Sequence, residues 1–196
     1  MTRQDTEIVV TNAGPQRHLV LIGMMGAGKS TIGQLAANNL GMDFNDIDDM
    51  IVRRERQSIP DIIGERGEQS FRMLERDMVA LVTDREPSVI SCGGGTPMDP
   101  VSRHLLRTNG VVVWLDVSLD QLVARVGDGA NRPLLQSGAP IAETLDGLLT
   151  KRRPMYGAAA HHRIASPDGS IAHMLADVLQ AYRLGPTPPT SASPPA

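Results

Sequence analysis

The stretch HLVLIGMMGAGKS, residues 18–30, decides the fold. Its first half is a continuous apolar run, as expected of a strand buried on both faces. Its second half, GMMGAGKS at 23–30, matches G-x-x-x-x-G-K-[ST] and follows that strand directly, opening a helix over about 29–40. Gly26 and Gly28 let backbone N–H groups curl around phosphate oxygens, and the helix N-terminus adds the positive end of its dipole. Lys29 is placed to reach the β- and γ-phosphates, and Ser30 to ligate Mg²⁺. The chain is therefore expected to bind a nucleoside triphosphate. It has no N-K-x-D to read guanine, and DIIG at 61–64 is too short a match to D-x-x-G to carry weight.

The rest of the chain supplies a sheet for this loop. VVVWLDV (111–117) is a second continuous run rich in β-branched residues, and FNDID (44–48), SVISC (88–92) and HHRIA (161–165) are shorter strand candidates. Helical stretches fall at about 29–40, 49–57, 68–83, 99–108, 118–126, 141–153 and 169–183. Such alternation predicts a P-loop NTPase-type α/β fold: a three-layer α/β/α domain on a five-stranded parallel sheet. Residues 1–16 read as a flexible lead-in, 17–184 as one domain, and the Pro/Ser-rich 185–196 as a disordered tail.

Bulk properties narrow the partners. The chain has 196 residues, a net charge of −3 and 3% aromatics, which argues against nucleic acid or an anionic membrane as a ligand. Cys92 is the only cysteine, so no internal disulfide forms and a thiolate metal site is disfavoured. With no apolar leader and no span-length segment, a cytoplasmic location is expected.

Several charged residues stand out as acceptor-site candidates. Asp46 and Asp48 lie two apart and would share one face of an extended chain, one serving the Mg²⁺ water shell and the other an attacking hydroxyl. The competing reading is a polar helix start, for which Asp49 is the better cap. In 68–83 the apolar stripe Phe71, Leu74, Met78, Val82 contains Glu75, with Arg72 one turn before it. That pair is either a structural ion pair or a carboxylate that aims Arg72 at an anion. ARVGDGANRPLL (124–135) brackets two glycines with Arg125 and Arg132, as a lid closing over phosphates would. Arg152, two residues before a proline in TKRRPMY, reads on its own as a surface residue near a helix end. Finally, SCGGGT at 91–96 spends Gly93, Gly94 and Gly95 just past a strand, for a tight turn or for close approach to bare backbone.

In order and spacing, GMMGAGKST, DID, GEQSFR, CGGGT, RPLL and KRRPMY resemble the shikimate kinase family over about residues 18–183. The resemblance implies a nucleoside-monophosphate-kinase-like fold with a mobile lid at about 125–137 and an acceptor region at about 45–80. It implies ATP-dependent phosphorylation of the 3-hydroxyl of shikimate, with Mg²⁺, by a monomeric enzyme of aromatic amino acid biosynthesis. Carried over residue by residue, Gly26, Ala27, Gly28, Lys29, Ser30 and Thr31 hold the nucleotide phosphates, and Ser30 and Asp46 serve the metal. Asp48 holds the attacking hydroxyl, and Arg72 and Arg152 grip the shikimate carboxylate, with Glu75 orienting Arg72. Gly93, Gly94 and Gly95 lie against the acceptor ring, where side chains would take the substrate's space. Arg132 steadies the transferring phosphoryl group and Arg125 stacks on adenine.

Two rivals remain open on sequence alone. One is a kinase of similar build acting on gluconate or a nucleoside monophosphate; the other is a nucleotide-gated binding module that has lost its chemistry.

Overall fold

Two strands with every residue buried form the centre of the molecule: β1 (His18–Ile22) and β4 (Gly110–Asp116). They pair in parallel from His18↔Gly110 to Ile22↔Trp114. The computed structural model describes residues 17–127, 139–165 and 169–187. Within them, β2 (Phe44–Asp46), β3 (Val89–Ser91) and β5 (His162–Ala165) complete a parallel sheet in the order β2-β3-β1-β4-β5. The lead-in, the segment that contains Arg132 and most of the expected lid, and most of the expected tail lie outside the described residues.

Strand order places the helices. The chain steps from β1 across β3 to β2, then reverses for every later crossover, so right-handed connections put α1 (Lys29–Leu40) on one face. The later crossovers put α3 (Ile59–Thr83), α4 (Pro100–Asn109) and α6 (Ile141–Ala159) on the other. The closing helix α7 (Ile171–Leu184) packs back against α1. Two short helices, α2 (Ile47–Glu55) and α5 (Leu119–Val126), sit at the strands' carboxyl ends. The reversal falls between β1 and β3, and ligands in open α/β sheets bind at that crevice.

The three-layer α/β/α expectation holds, and element ends differ for local reasons. Strand β2 stops at Asp46, whose carboxylate accepts the Asp48 N–H and caps α2. Asp48 therefore sits in a first helical turn instead of an extended chain, and Asp46, not Asp49, is the cap. Helix α3 begins nine residues earlier than its periodic stripe, at Ile59 instead of 68. Ser58 caps it through the Asp61 N–H, and at Gly67 (φ 80°, ψ 161°) the backbone leaves helical geometry between two arms. Helix α6 runs through Pro154 to Ala159, with Tyr156 and Ala159 buried beyond the proline.

The β1–β4 register depends on Gly110. A Cβ there would stand 2.7 Å from a Val20 methyl and 3.0 Å from the His18 carbonyl oxygen. Gly110→Ala is expected to lower the urea midpoint by the equivalent of about 1–3 kcal/mol, the usual cost of overpacking, with the m-value unchanged.

Candidate active site

Beyond β1 the chain turns through Gly23, Gly26 and Gly28, all at positive φ. At Gly23 a Cβ would lie 2.7 Å from the Leu115 carbonyl oxygen, so the loop passes hard against the end of β4. Helices α2, α3, α4, α5 and α7 each have a side-chain N-cap, whereas α1 starts at Gly28 with none. Its first N–H groups are left for a ligand, which is the arrangement an anion requires. The buried Lys29 ammonium donates to the carbonyls of Gly23 (3.0 Å) and Met24 (2.9 Å), so the loop wraps its own cation. Ser30 Oγ donates to Asp46 Oδ2 at 2.8 Å, placing a hydroxyl and a carboxylate side by side at the mouth of the loop.

The glycines after β3 face charged side chains. A Cβ on Gly93 would fall 2.8 Å from Asp48 Oδ1 and 2.7 Å from Glu75 Oε1. One on Gly94 would fall 3.0 Å from Arg152 Nη1, and one on Gly95 would overlap the Arg72 guanidinium. None of the three has positive φ, so close approach, and not a turn, requires glycine here. The space a side chain would take is that of the protein's own charges. This refines the expectation that the acceptor alone would be displaced.

Those charges are unequally paired. Glu75, 2% exposed, binds Arg72 Nη1 through Oε2 and accepts from Thr96 Oγ1 at 2.8 Å through Oε1. Arg72 also holds Glu68 at 2.9 Å and lies 5.1 Å over the Phe71 ring. Arg152 is 7% exposed and has no carboxylate partner among the described residues; its Nη1 is 3.9 Å from Met24 Sδ. Asp48 Oδ1 is buried with no hydrogen-bond partner among the described residues. Burial, then the charges of Glu75 and Asp46, push the Asp48 carboxyl up to about 6, against the opposing pull of Lys29 and Arg72.

A cavity of about 810 Å³ joins these groups. Of the residues expected from sequence, Gly26, Gly28, Lys29, Ser30, Thr31, Asp46, Asp48, Arg72, the three glycines, Arg125 and Arg152 all line it. Arg152, which the sequence alone read as a surface residue, is buried. Ala27 does not line the cavity: its side chain is in the core and its N–H bonds to the Met24 carbonyl oxygen. Arg125 also reaches Gly169 O at 3.4 Å.

Three contributors escaped the sequence reading. Glu68 precedes Arg72 by four residues, a favourable helical pair visible in GEQSFR. Ile59, Pro60 and Ile63 wall the cavity from the first arm of α3, which SIPD at 58–61 announces as a Ser-x-x-Asp helix start. Tyr156, fully buried, donates to the Gly94 carbonyl oxygen at 2.6 Å, and nothing in its sequence context distinguishes it from a core aromatic.

Residues 25–183 match the sequence profile of the family described as shikimate kinase. A shikimate kinase of Rhizobium leguminosarum bv. trifolii is 40% identical over 165 residues, covering 84% of this chain and 83% of the relative. One of Novosphingobium aromaticivorans is 44% identical over 152 residues, covering 74% and 77%. Among solved structures, the shikimate kinase of Acinetobacter baumannii in complex with shikimate aligns with a TM-score of 0.81 at 34% identity. That alignment covers 85% of this chain and 93% of the neighbour.

The Asp48 environment has a measurable cost. Its carboxyl titrates near 6 in the fold but at about 3.9 when unfolded. The stability contributed by its proton is full below pH 4 and is lost as pH rises through 6. Asp48→Asn, neutral at every pH, is expected to gain about 1–3 kcal/mol over the parent at pH 8 and nothing at pH 4, read from urea unfolding at both.

Proposed function

The chain belongs to the shikimate kinase family, it phosphorylates the 3-hydroxyl of shikimate with ATP, and we propose the following division of labour among its residues. The observation that carries it is the buried, acid-free Arg152 in the cavity that also receives the phosphate loop. A buried guanidinium without an anion is costly, and a substrate carboxylate supplies one. We infer that Arg152 is the principal carboxylate receptor. Arg72, already held by Glu75 and Glu68, contributes field and shape at its side. Gly93, Gly94 and Gly95 bring the acceptor ring close to bare backbone.

Asp48 takes the proton of the attacking hydroxyl. As the new O–P bond forms and the bond from the γ-phosphorus to the β-bridging oxygen breaks, that proton passes to the carboxylate, whose raised basicity suits the task. Lys29 and the uncapped N–H groups of α1, with Gly26, Gly28, Ser30 and Thr31, hold the phosphates. Arg125 lies under the adenine, and Arg132, outside the described residues, steadies the transferring group.

Ser30 and Asp46 fit Mg²⁺. Their oxygens converge on one point, and no cluster of three His, Cys, Asp or Glu side chains suited to a metal occurs among the described residues. An ion carried largely by substrate phosphates and water needs no more than that. Bound there, Mg²⁺ would neutralise charge on the phosphates. We further propose a cytoplasmic monomer. Every assigned residue comes from one chain, and no described helix is long and apolar enough to cross a membrane.

The test is ADP release from Mg·ATP with shikimate, quinate, gluconate and AMP as separate acceptors. Turnover with shikimate alone, abolished by Lys29→Met, is expected. Turnover only with another acceptor would overturn the carboxylate-site reading, and tight binding without turnover would favour the binding-module rival. Arg152→Ala should raise the shikimate KM about tenfold or more while leaving the ATP KM within about twofold. Arg132→Ala should instead lower kcat, and a fall of less than about threefold would remove its role. The acid limb of kcat should lie near pH 6 and disappear in Asp48→Asn, together with most of the activity.

A further inference from the structure

Among the described residues Arg152 has no acid to hold it, yet a carboxylate receptor must be fixed in direction to discriminate among acceptors. The neighbour that does this lies one helical turn further along α6. Tyr156 is 0% exposed, and its hydroxyl meets two parts of the site at once. It donates to the Gly94 carbonyl oxygen at 2.6 Å and touches Met24 Sδ of the phosphate loop at 3.5 Å, the same sulfur that Arg152 Nη1 approaches to 3.9 Å. Burial pushes the phenol up to about 12, against the lowering effect of Arg152, so the hydroxyl keeps its proton and donates it to Gly94. The guanidinium beside it has donors only, so the two side chains do not compete for each other's protons.

The ring is fixed as firmly as the hydroxyl. It packs at 5.7 Å from Trp114, on the fully buried β4. Pro154 lies between Arg152 and Tyr156 and cannot supply the N–H that would join this turn of α6 to the one before it. Side-chain anchoring therefore has to hold the turn that carries both residues against the glycine loop. Arg152 Nη1 lies 3.0 Å from where a Gly94 side chain would begin, so a small shift of that turn moves the receptor against the cavity wall.

We propose that Tyr156 is a positioning residue for the acceptor: its hydroxyl, fixed on the Gly94 carbonyl and on the Met24 sulfur that Arg152 also meets, sets the direction in which the guanidinium meets the substrate carboxylate. The inference rests on the carboxylate-receptor reading of Arg152.

The test uses the full chain with Tyr156→Phe, which keeps the ring, alongside Arg152→Ala and the double variant. Steady-state kinetics are measured with shikimate and with its methyl ester, which lacks the charge. Tyr156→Phe should cut kcat/KM for shikimate about tenfold through KM, leave the ATP KM within about twofold, and leave kcat/KM for the ester almost unchanged. The double variant should be no worse than Arg152→Ala alone, because the hydroxyl acts through the guanidinium. Equal losses with shikimate and ester, or losses that add fully in the double variant, would reduce Tyr156 to a packing residue and overturn the proposal. No loss at all in Tyr156→Phe would overturn it too. If Arg152→Ala itself leaves the shikimate KM unchanged, the receptor reading fails instead, and the positioning role goes with it. The acceptor comparison is a ratio within each variant, so partial loss of folded protein does not change it.

Discussion

The site depends on bare backbone at Gly93, Gly94 and Gly95. Four charged side chains lean on those residues: Asp48 from α2, Arg72 and Glu75 from α3, and Arg152 from α6. Helices from two crossovers, α2 and α3 between β2 and β3 and α6 between β4 and β5, converge there because the segment they meet has no side chains. The segment follows β3, beside β1, so it stands across the crevice from the phosphate loop. The sheet order thus brings the phosphate-loop motif and these charged side chains within one cavity, and the glycines let the charges stand at contact distance.

Those charges do different work because they are differently satisfied. Arg72 has a buried carboxylate on one side and an exposed one on the other, so its field is largely spent inside the protein. Arg152 has neither among the described residues, and it lines the cavity. Asp48 pays for its position in the opposite currency: two neighbouring carboxylates and burial raise its basicity, and one of its oxygens has no partner among the described residues. Removing the charge is expected to stabilise the fold and, in the role proposed for Asp48, to stop the reaction, the conflict expected of a group kept for chemistry.

Much of this was legible in the sequence where a residue type has few uses. The phosphate loop, the five-stranded parallel sheet and the acidic pair at 46 and 48 follow from motif and periodicity, because strand, loop and helix signals agree there. The Arg72–Glu75 pair was readable as a charge inside an apolar stripe. What escaped was set by tertiary contact. Arg152 reads as a helix-end cation until α6 is seen to continue past Pro154 and bury it. The first arm of α3 was hidden because Pro60, Gly64 and Gly67 weaken helical propensity, while its capping and its packing on the core prevail. The family resemblance supplied Arg152 and the glycines' partner; the reason for the glycines, contact with the protein's own charges, required coordinates.

The unsatisfied groups themselves describe the reaction. A folded chain pairs most of its buried polar atoms: five of the described helices carry side-chain N-caps, and Glu75 spends both oxygens. Three exceptions meet in one cavity. The start of α1 leaves backbone donors uncapped, Asp48 leaves an acceptor oxygen, and Arg152 has no acid partner among the described residues. Uncapped N–H groups at a glycine loop suit phosphate, a lone basic oxygen suits a hydroxyl proton, and a guanidinium with no acid beside it suits a carboxylate. A nucleotide and a hydroxy acid, bound together, satisfy all three at once, and neither substrate alone does.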